Sequence, residues 1–151
     1  MRRSEKEIED IGAIEEILGG ALVCRLGLCD GGRPYVVPLC FGYKERSLYF
    51  HCSGEGEKLD ILRKNNNVCF EVDIDCEIIK AEKGCDWGMK YRSVIGFGKG
   101  VFIEGLEEKR EAFDIIMQQY SNITFEYPRE SIKNTAVIKV EIESMTGKRS
   151  G

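Results

Sequence analysis

The sequence predicts a mainly β fold: an antiparallel barrel with flanking helices. Three observations carry that expectation. The chain has 151 residues, 42% of them hydrophobic and 32% charged, which suits one domain with a real buried core. Strand-like runs joined by tight polar turns give two hairpins between Ala21 and Cys52, the pattern of an antiparallel meander. The long helical crossovers that a doubly wound parallel sheet requires are mostly missing, and such a sheet is excluded.

Taken in order, Ser4 and Glu7 read as an S-x-x-E capping box, followed by the helical stripe Ile8, Ile11, Ile14 and Leu18. Gly19-Gly20 reads as its stop, so residues 1–19 are assigned to an N-terminal helix beginning at Met1-Arg2. Ala21 to Cys29 is the first strand, Asp30-Gly31-Gly32-Arg33 a turn, and Pro34 to Tyr43 the second strand. Lys44-Glu45-Arg46 turns the chain into Ser47–Cys52. A short helix is expected over Glu57–Lys64, with Leu59 and Leu62 inward and Asn65-Asn66-Asn67 at its end. Val68–Lys80 and Met89–Glu104 read as strands, Leu106–Tyr120 as a helix, and Ala136–Ile142 as a final alternating strand. Residues 144–151 are expected to be a C-terminal tail. About six strands joined by tight turns favour a closed barrel.

Charge and composition narrow the function. The 22 Lys+Arg and 26 Asp+Glu give a net charge of −4, against broad nucleic-acid binding, which rests on excess basic charge. No run approaches the ~20 apolar residues of a membrane helix, and the start of the chain has no apolar signal region. A cytoplasmic protein is expected. The seven cysteines include no C-x-x-C pair and there is one histidine, so neither a disulfide framework nor a metal site is expected. Most of the cysteines are expected to be small buried hydrophobes.

Three stretches carry chemistry. In His51-Cys52-Ser53-Gly54-Glu55-Gly56-Glu57-Lys58 a strand runs through a Gly-containing loop into a helix. Helix N-termini offer unpaired N–H groups and partial positive charge, and Ser53 and Lys58 would add a donor and a cation for a phosphate. The spacing is not that of a nucleoside-triphosphate loop. On the residues alone two readings stand, a phosphate cradle and an ordinary turn with a solvated lysine. Gly96, Gly98 and Gly100 fall within a strand-like run with no helix after it, so their G-x-G-x-G is no dinucleotide fingerprint. They leave one strand face bare, either for a ring, a backbone or a dimer partner, or to relieve crowding at a barrel bend. Asp73 and Asp75 alternate with Val72 and Ile74 as a solvated strand face. Trp87, the sole tryptophan, sits in a Gly-flanked loop as a cover for a ligand or an interface contact.

Four segments together resemble the FMN-binding split-barrel superfamily of pyridoxamine 5′-phosphate oxidase. They are Arg33-Pro34-Tyr35-Val36-Val37-Pro38, Leu48-Tyr49-Phe50-His51-Cys52, Gly56-Glu57-Lys58-Leu59-Asp60-Ile61-Leu62 and Asn67-Val68-Cys69-Phe70-Glu71-Val72. Tyr91-Arg92-Ser93-Val94 and Met145-Thr146-Gly147-Lys148 are similar to its nitroimidazole-resistance (Nim-type) flavoprotein branch. The resemblance covers roughly residues 10 to 149, through the order and spacing of segments instead of one decisive motif.

The resemblance implies a six-stranded antiparallel split barrel and a homodimer with FMN at the subunit interface. It implies Cys52, Ser53 and Lys58 around the phosphate, and Val36, Val37, Pro38 and Leu39 as backbone edges to the flavin ring. Arg92 and Ser93 would lie near the ring's polar edge, with His51 beside the cofactor and the one candidate for a direct catalytic part. An FMN-dependent oxidoreductase follows, passing electrons between a small donor and a nitroaromatic or quinone-like acceptor. A flavin-binding stress module without a substrate, a haem-binding protein and a deazaflavin-using one are the alternatives. Two departures are visible: Glu57 stands where the oxidase has a basic residue, and the chain ends without the Trp- and Arg-containing segment that grips pyridoxal. Pyridoxamine-phosphate oxidase activity proper is therefore not expected.

Overall fold

The structure, a computed structural model, describes residues 3–151; Met1 and Arg2, assigned above to the first helix, lie outside them. The strands are β1 (Glu7–Ile8), β2 (Cys24–Asp30), β3 (Arg33–Leu39), β4 (Gly42–Lys44), β5 (Ser47–Ser53), β6 (Asn67–Ile79), β7 (Gly88–Ile103) and β8 (Thr135–Ser150). The helices are α1 (Ile11–Gly20), α2 (Glu57–Lys64), α3 (Leu106–Gln118) and α4 (Arg129–Lys133). One antiparallel sheet runs β3-β2-β6-β7-β8-β5-β4, with β1 added beside β8. Its two edges, β3 and β4, are separated in the chain only by Cys40 and Phe41. A sheet whose edges are two residues apart must curl back on itself, so this is a split barrel. The six strands of seven or more residues match the six expected; β1 is a short addition, and β4 is the detached end of the expected run Pro34–Tyr43.

The curled sheet encloses Leu26, Phe50, Phe70, Val72, Val94, Ile138 and Val140. On α1 the stripe Ile14, Ile17 and Leu18 closes one side, and on α2 Leu59, Ile61 and Leu62 close another. The backbone of α3 crosses β4 so closely that a Cβ on Gly42 would lie 2.5 Å from the Ile115 carbonyl oxygen.

Several expectations need correction. Ser4 and Glu7 form no capping box: Ser4–Lys6 is a single 3₁₀ turn, and Glu7-Ile8 pairs with Lys148-Gly147. The cap of α1 is Asp10, whose carboxylate accepts from the Ala13 N–H at 2.8 Å, and the helix runs through Gly19 and Gly20 to end at Ala21. The expected single strand Pro34–Tyr43 breaks at Cys40-Phe41, because the chain there crosses from one sheet edge to the other. Residues 144–150 are no tail but the second half of β8, paired with β7 from Phe97↔Ser144 to Tyr91↔Ser150. Most cysteines are not buried: Cys24 is, Cys29, Cys52 and Cys69 are half-buried, and Cys40, Cys76 and Cys85 are exposed.

Of the readings left open for the glycine face of β7, the structure takes the crowded one. Gly96, Gly98 and Gly100 point into the core and are buried. A Cβ on Gly96 would meet the Phe70 ring at 2.3 Å, and one on Gly98 the Glu141 carbonyl oxygen at 2.2 Å. The space is filled from within, and it offers no surface to a ring or a second copy.

Candidate functional site

The outer face of the sheet is where β7 presents side chains to solvent. Residues paired across neighbouring strands share a face, and one such row runs Val36, Gly27, Cys69, Phe97 and Ser144 through five strands. The next outward row is Pro38, Arg25, Glu71, Ile95 and Thr146. Val36 is 65% exposed and Phe97 56%, so the middle of this face is a broad apolar surface without cover. Toward one end it becomes polar: Arg25 pairs with Asp73 (3.2 Å) and Glu71 (3.6 Å). Partial burial and neighbouring Asp73 both push the Glu71 carboxyl above its usual range. Glu71, Asp73, Tyr91, Ser93, Ile95 and Lys148 line a depression of about 330 Å³ there.

A second group gathers around the start of α2. Leu59, Ile61 and Leu62 anchor the helix in the core, and its acidic first turn and basic last turn oppose the helix dipole favourably. Gly56 precedes it with a φ of +144°, a conformation that favours glycine. In the loop before it, the Ser53 hydroxyl donates to the Glu55 carbonyl at 3.0 Å. Lys58 makes no ion pair with the carboxylates of the described residues. Its charge acts on Cys52, whose thiol burial pushes up and Lys58 draws down, with burial dominant. Arg33 at the start of β3 forms an ion pair with Glu57, tying the edge strand to the helix start. Glu57, the departure noted in the sequence, is thus neutralised by a cation from β3.

Because β3 pairs only with β2, every second residue along Val36–Leu39 turns its backbone groups outward without a strand partner, and Pro38 has a carbonyl but no N–H. The structure therefore brings Cys52, Ser53 and Lys58 together, with Arg33 linking them to the strand that carries Val36 to Leu39. Ser93 lies elsewhere in the same chain, buried on the outer side of β7 opposite Asp73 and Lys148. Arg92 is held by Asp75 (2.7 Å) and Glu16 (3.2 Å). His51 points to the opposite side of β5 from Cys52 and packs on Phe113 of α3, ring centroids 5.4 Å apart. Burial lowers its pKa below the ordinary 6.5, so it is neutral near pH 7.

Sequence reasoning missed the Arg33–Glu57 link, for nothing in the spacing signals a 24-residue ion pair. It also missed Tyr120, whose hydroxyl donates to the Leu22 carbonyl (2.8 Å) and accepts from the Phe41 N–H (2.9 Å). Asp75 is no member of a regular solvated face. With Cys76 it forms a bulge opposite Tyr91, at a φ of +57°. Among the described residues no three of His, Cys, Asp and Glu gather as a metal cluster, and no helix is long and apolar enough to cross a membrane.

Comparison with known proteins places this geometry. A family model described as pyridoxamine 5′-phosphate oxidase matches residues 10–149. A crystal structure of a Bacteroides thetaiotaomicron protein assigned to 5-nitroimidazole antibiotic resistance is 41% identical, at a TM-score of 0.86 over 95% of this chain and 86% of that one. The flavocytochrome Anf3 of Azotobacter vinelandii is 20% identical, TM-score 0.84, over 100% of this chain and 72% of that one. The FAD and haem binding protein of Mycobacterium smegmatis is 19% identical, TM-score 0.86, over 96% and 73%. These last two share the fold. No curated protein is close enough in sequence to count as a relative. The chain belongs to the pyridoxamine 5′-phosphate oxidase-like family, and its fold is that family's split barrel.

Proposed function

We propose that this member of the pyridoxamine 5′-phosphate oxidase-like family binds FMN as a homodimer and is an oxidoreductase for a small nitroaromatic or quinone-like acceptor. The observation that carries the reading is the cradle at the start of α2. An unpaired lysine, a hydroxyl, a glycine loop and free helix N–H groups converge there, tied to an unpaired strand edge. These groups suit a phosphate followed by a flat, hydrogen-bonding ring. FMN held there would supply two-electron redox chemistry between a reduced small-molecule donor and the acceptor.

The chain's own part is binding and orientation. Lys58 and Ser53 hold the phosphate, while the edge groups of Val36–Leu39 fix the polar rim of the ring. Neutral Cys52 fills the floor without adding negative charge. Ser93 reaches a flavin only if a second copy lays its outer face against this one, and the exposed apolar side chains of Val36, Ile95 and Phe97 support that pairing. Arg92 is committed to Asp75 and Glu16, and so sets the bulge instead of meeting an anion. His51, neutral and packed on Phe113, serves as a wall and not as a cationic acid.

The test is direct. Purified protein should be yellow, or should become so on addition of FMN with a shifted and structured visible spectrum. It should also turn over a nitroaromatic with NADH or NADPH faster than free FMN does. A colourless protein that takes up no FMN overturns the proposal; bound FMN without turnover reduces it to a flavin-binding module.

A further inference from the structure

The tip of the β2–β3 hairpin, Asp30-Gly31-Gly32-Arg33, delivers Arg33 to the start of α2. There the guanidinium pairs with Glu57, the first residue of the helix, and lies 3.8 Å from the Asp30 carboxylate. A cation at a helix N-terminus opposes the helix dipole, so it is these two carboxylates that hold Arg33 in place. The hold is weak. Arg33 is 59% and Glu57 52% exposed, and an ion pair open to water contributes little to stability. The hairpin has a separate attachment to the far end of α2, where the Asn65 side-chain amide donates to the Cys29 carbonyl at 3.3 Å. Arg33 can therefore leave Glu57 while the hairpin stays docked.

The same helix start is the phosphate end of the flavin site proposed above. A phosphate there is drawn by Lys58 and repelled by Glu57, its neighbour in the chain. With Asp30 and Glu57 both set against Arg33, the guanidinium adds little net attraction while it stays where it is. A phosphate monoester is the stronger partner for it. It carries close to two negative charges and three acceptor oxygens at neutral pH, and the guanidinium fork fits two of those oxygens at once.

We infer that Arg33 is a second phosphate ligand held by Glu57, and that Glu57 and the flavin phosphate compete for its guanidinium. Glu57 thereby sets how tightly the site holds FMN, and how strongly it prefers FMN to a flavin without a phosphate. The inference rests on the flavin site proposed above.

Fluorescence titrations of the purified chain, freed of flavin, test it with two ligands: FMN, and riboflavin, which lacks the phosphate. Glu57→Gln frees the guanidinium and should tighten FMN binding roughly tenfold, whereas Arg33→Gln should weaken it roughly tenfold. Riboflavin affinity should move in neither variant. In the Arg33→Gln background, Glu57→Gln should give a much smaller gain, because no guanidinium is left to release. Both side chains are exposed, so the thermal midpoint should hold in every variant. Equal changes for FMN and riboflavin would make the pair a strut alone and overturn the inference. A Glu57→Gln chain that holds FMN no tighter than wild type overturns it as well. Either result leaves the flavin reading standing. A wild-type chain that binds neither ligand overturns that reading, and the inference with it.

Discussion

The two sides of β7 are built for opposite purposes. Inward, Gly96, Gly98 and Gly100 accept the Phe70 ring, the backbone of β8 and the Leu62 side chain so closely that a Cβ on any of them would lie within 3 Å of its neighbour. Outward, Ile95 and Phe97 stand on the same strand with nothing over them. The residues without side chains are the crowded ones, and the large apolar residues are the bare ones. β5 divides in the same way, Cys52 toward the lysine of α2 and His51 toward Phe113. A glycine stripe alone therefore does not say which face is open; the neighbour across the sheet decides.

The most severe way to break this arrangement is to fill the inner face. Gly98→Ala drives a Cβ into a backbone carbonyl, which has no rotamer to yield. A loss of about 3 kcal/mol is expected, seen as a steep fall in the denaturation midpoint or as insoluble protein. An unchanged midpoint would mean that β8 sits farther from β7. The outer face should respond differently to a change of similar size. Phe97→Asp should keep the wild-type thermal midpoint but weaken the dimer by at least ~30-fold, read by sedimentation. Loss of fold with Phe97→Asp would place that ring inside the core.

The division on β5 is sharpened by Lys58→Ala. Removing one partly exposed charge-assisted contact to phosphate should weaken FMN binding by roughly tenfold, about 1.5 kcal/mol, with stability of the flavin-free protein unchanged. Fluorescence titration with FMN measures it. Equal affinity in the variant would move the phosphate away from α2.

Much of this was legible in the residues because it is local. The α2 helix falls on Glu57–Lys64 as its spacing predicts, and the strand runs begin or end within a few residues of their expected places. The Gly–Lys loop was visible for the same reason. What was not legible depends on pairing between distant segments. The tail at 144–150 looks irregular alone and becomes a strand because β7 and β1 lie on either side. The capping box failed because residues 7 and 8 are taken by that same strand, and the helix starts later under Asp10. The Arg33–Glu57 pair and the Tyr120 bridge exist only once the barrel has closed.

The smallest expected effect lies on the far side of β5. Burial disfavours the charged imidazole of His51, so its folded pKa lies below 6.5. Between those two values the unfolded chain holds a proton there that the folded chain lacks, and stability falls as pH drops through that window. Above about pH 6.5 the contribution is constant. His51 is the only histidine, so His51→Gln should flatten the decline in thermal midpoint as pH is lowered below about 6.5, with carboxylates supplying a background common to both proteins. The change is shallow, because the ring is only partly shielded and water screens its charge. Parallel midpoint curves for the two proteins would mean that Phe113 does not shield the ring and that His51 is solvated like any surface histidine. It would then be free to take the cationic part at the flavin that its packing on α3 argues against.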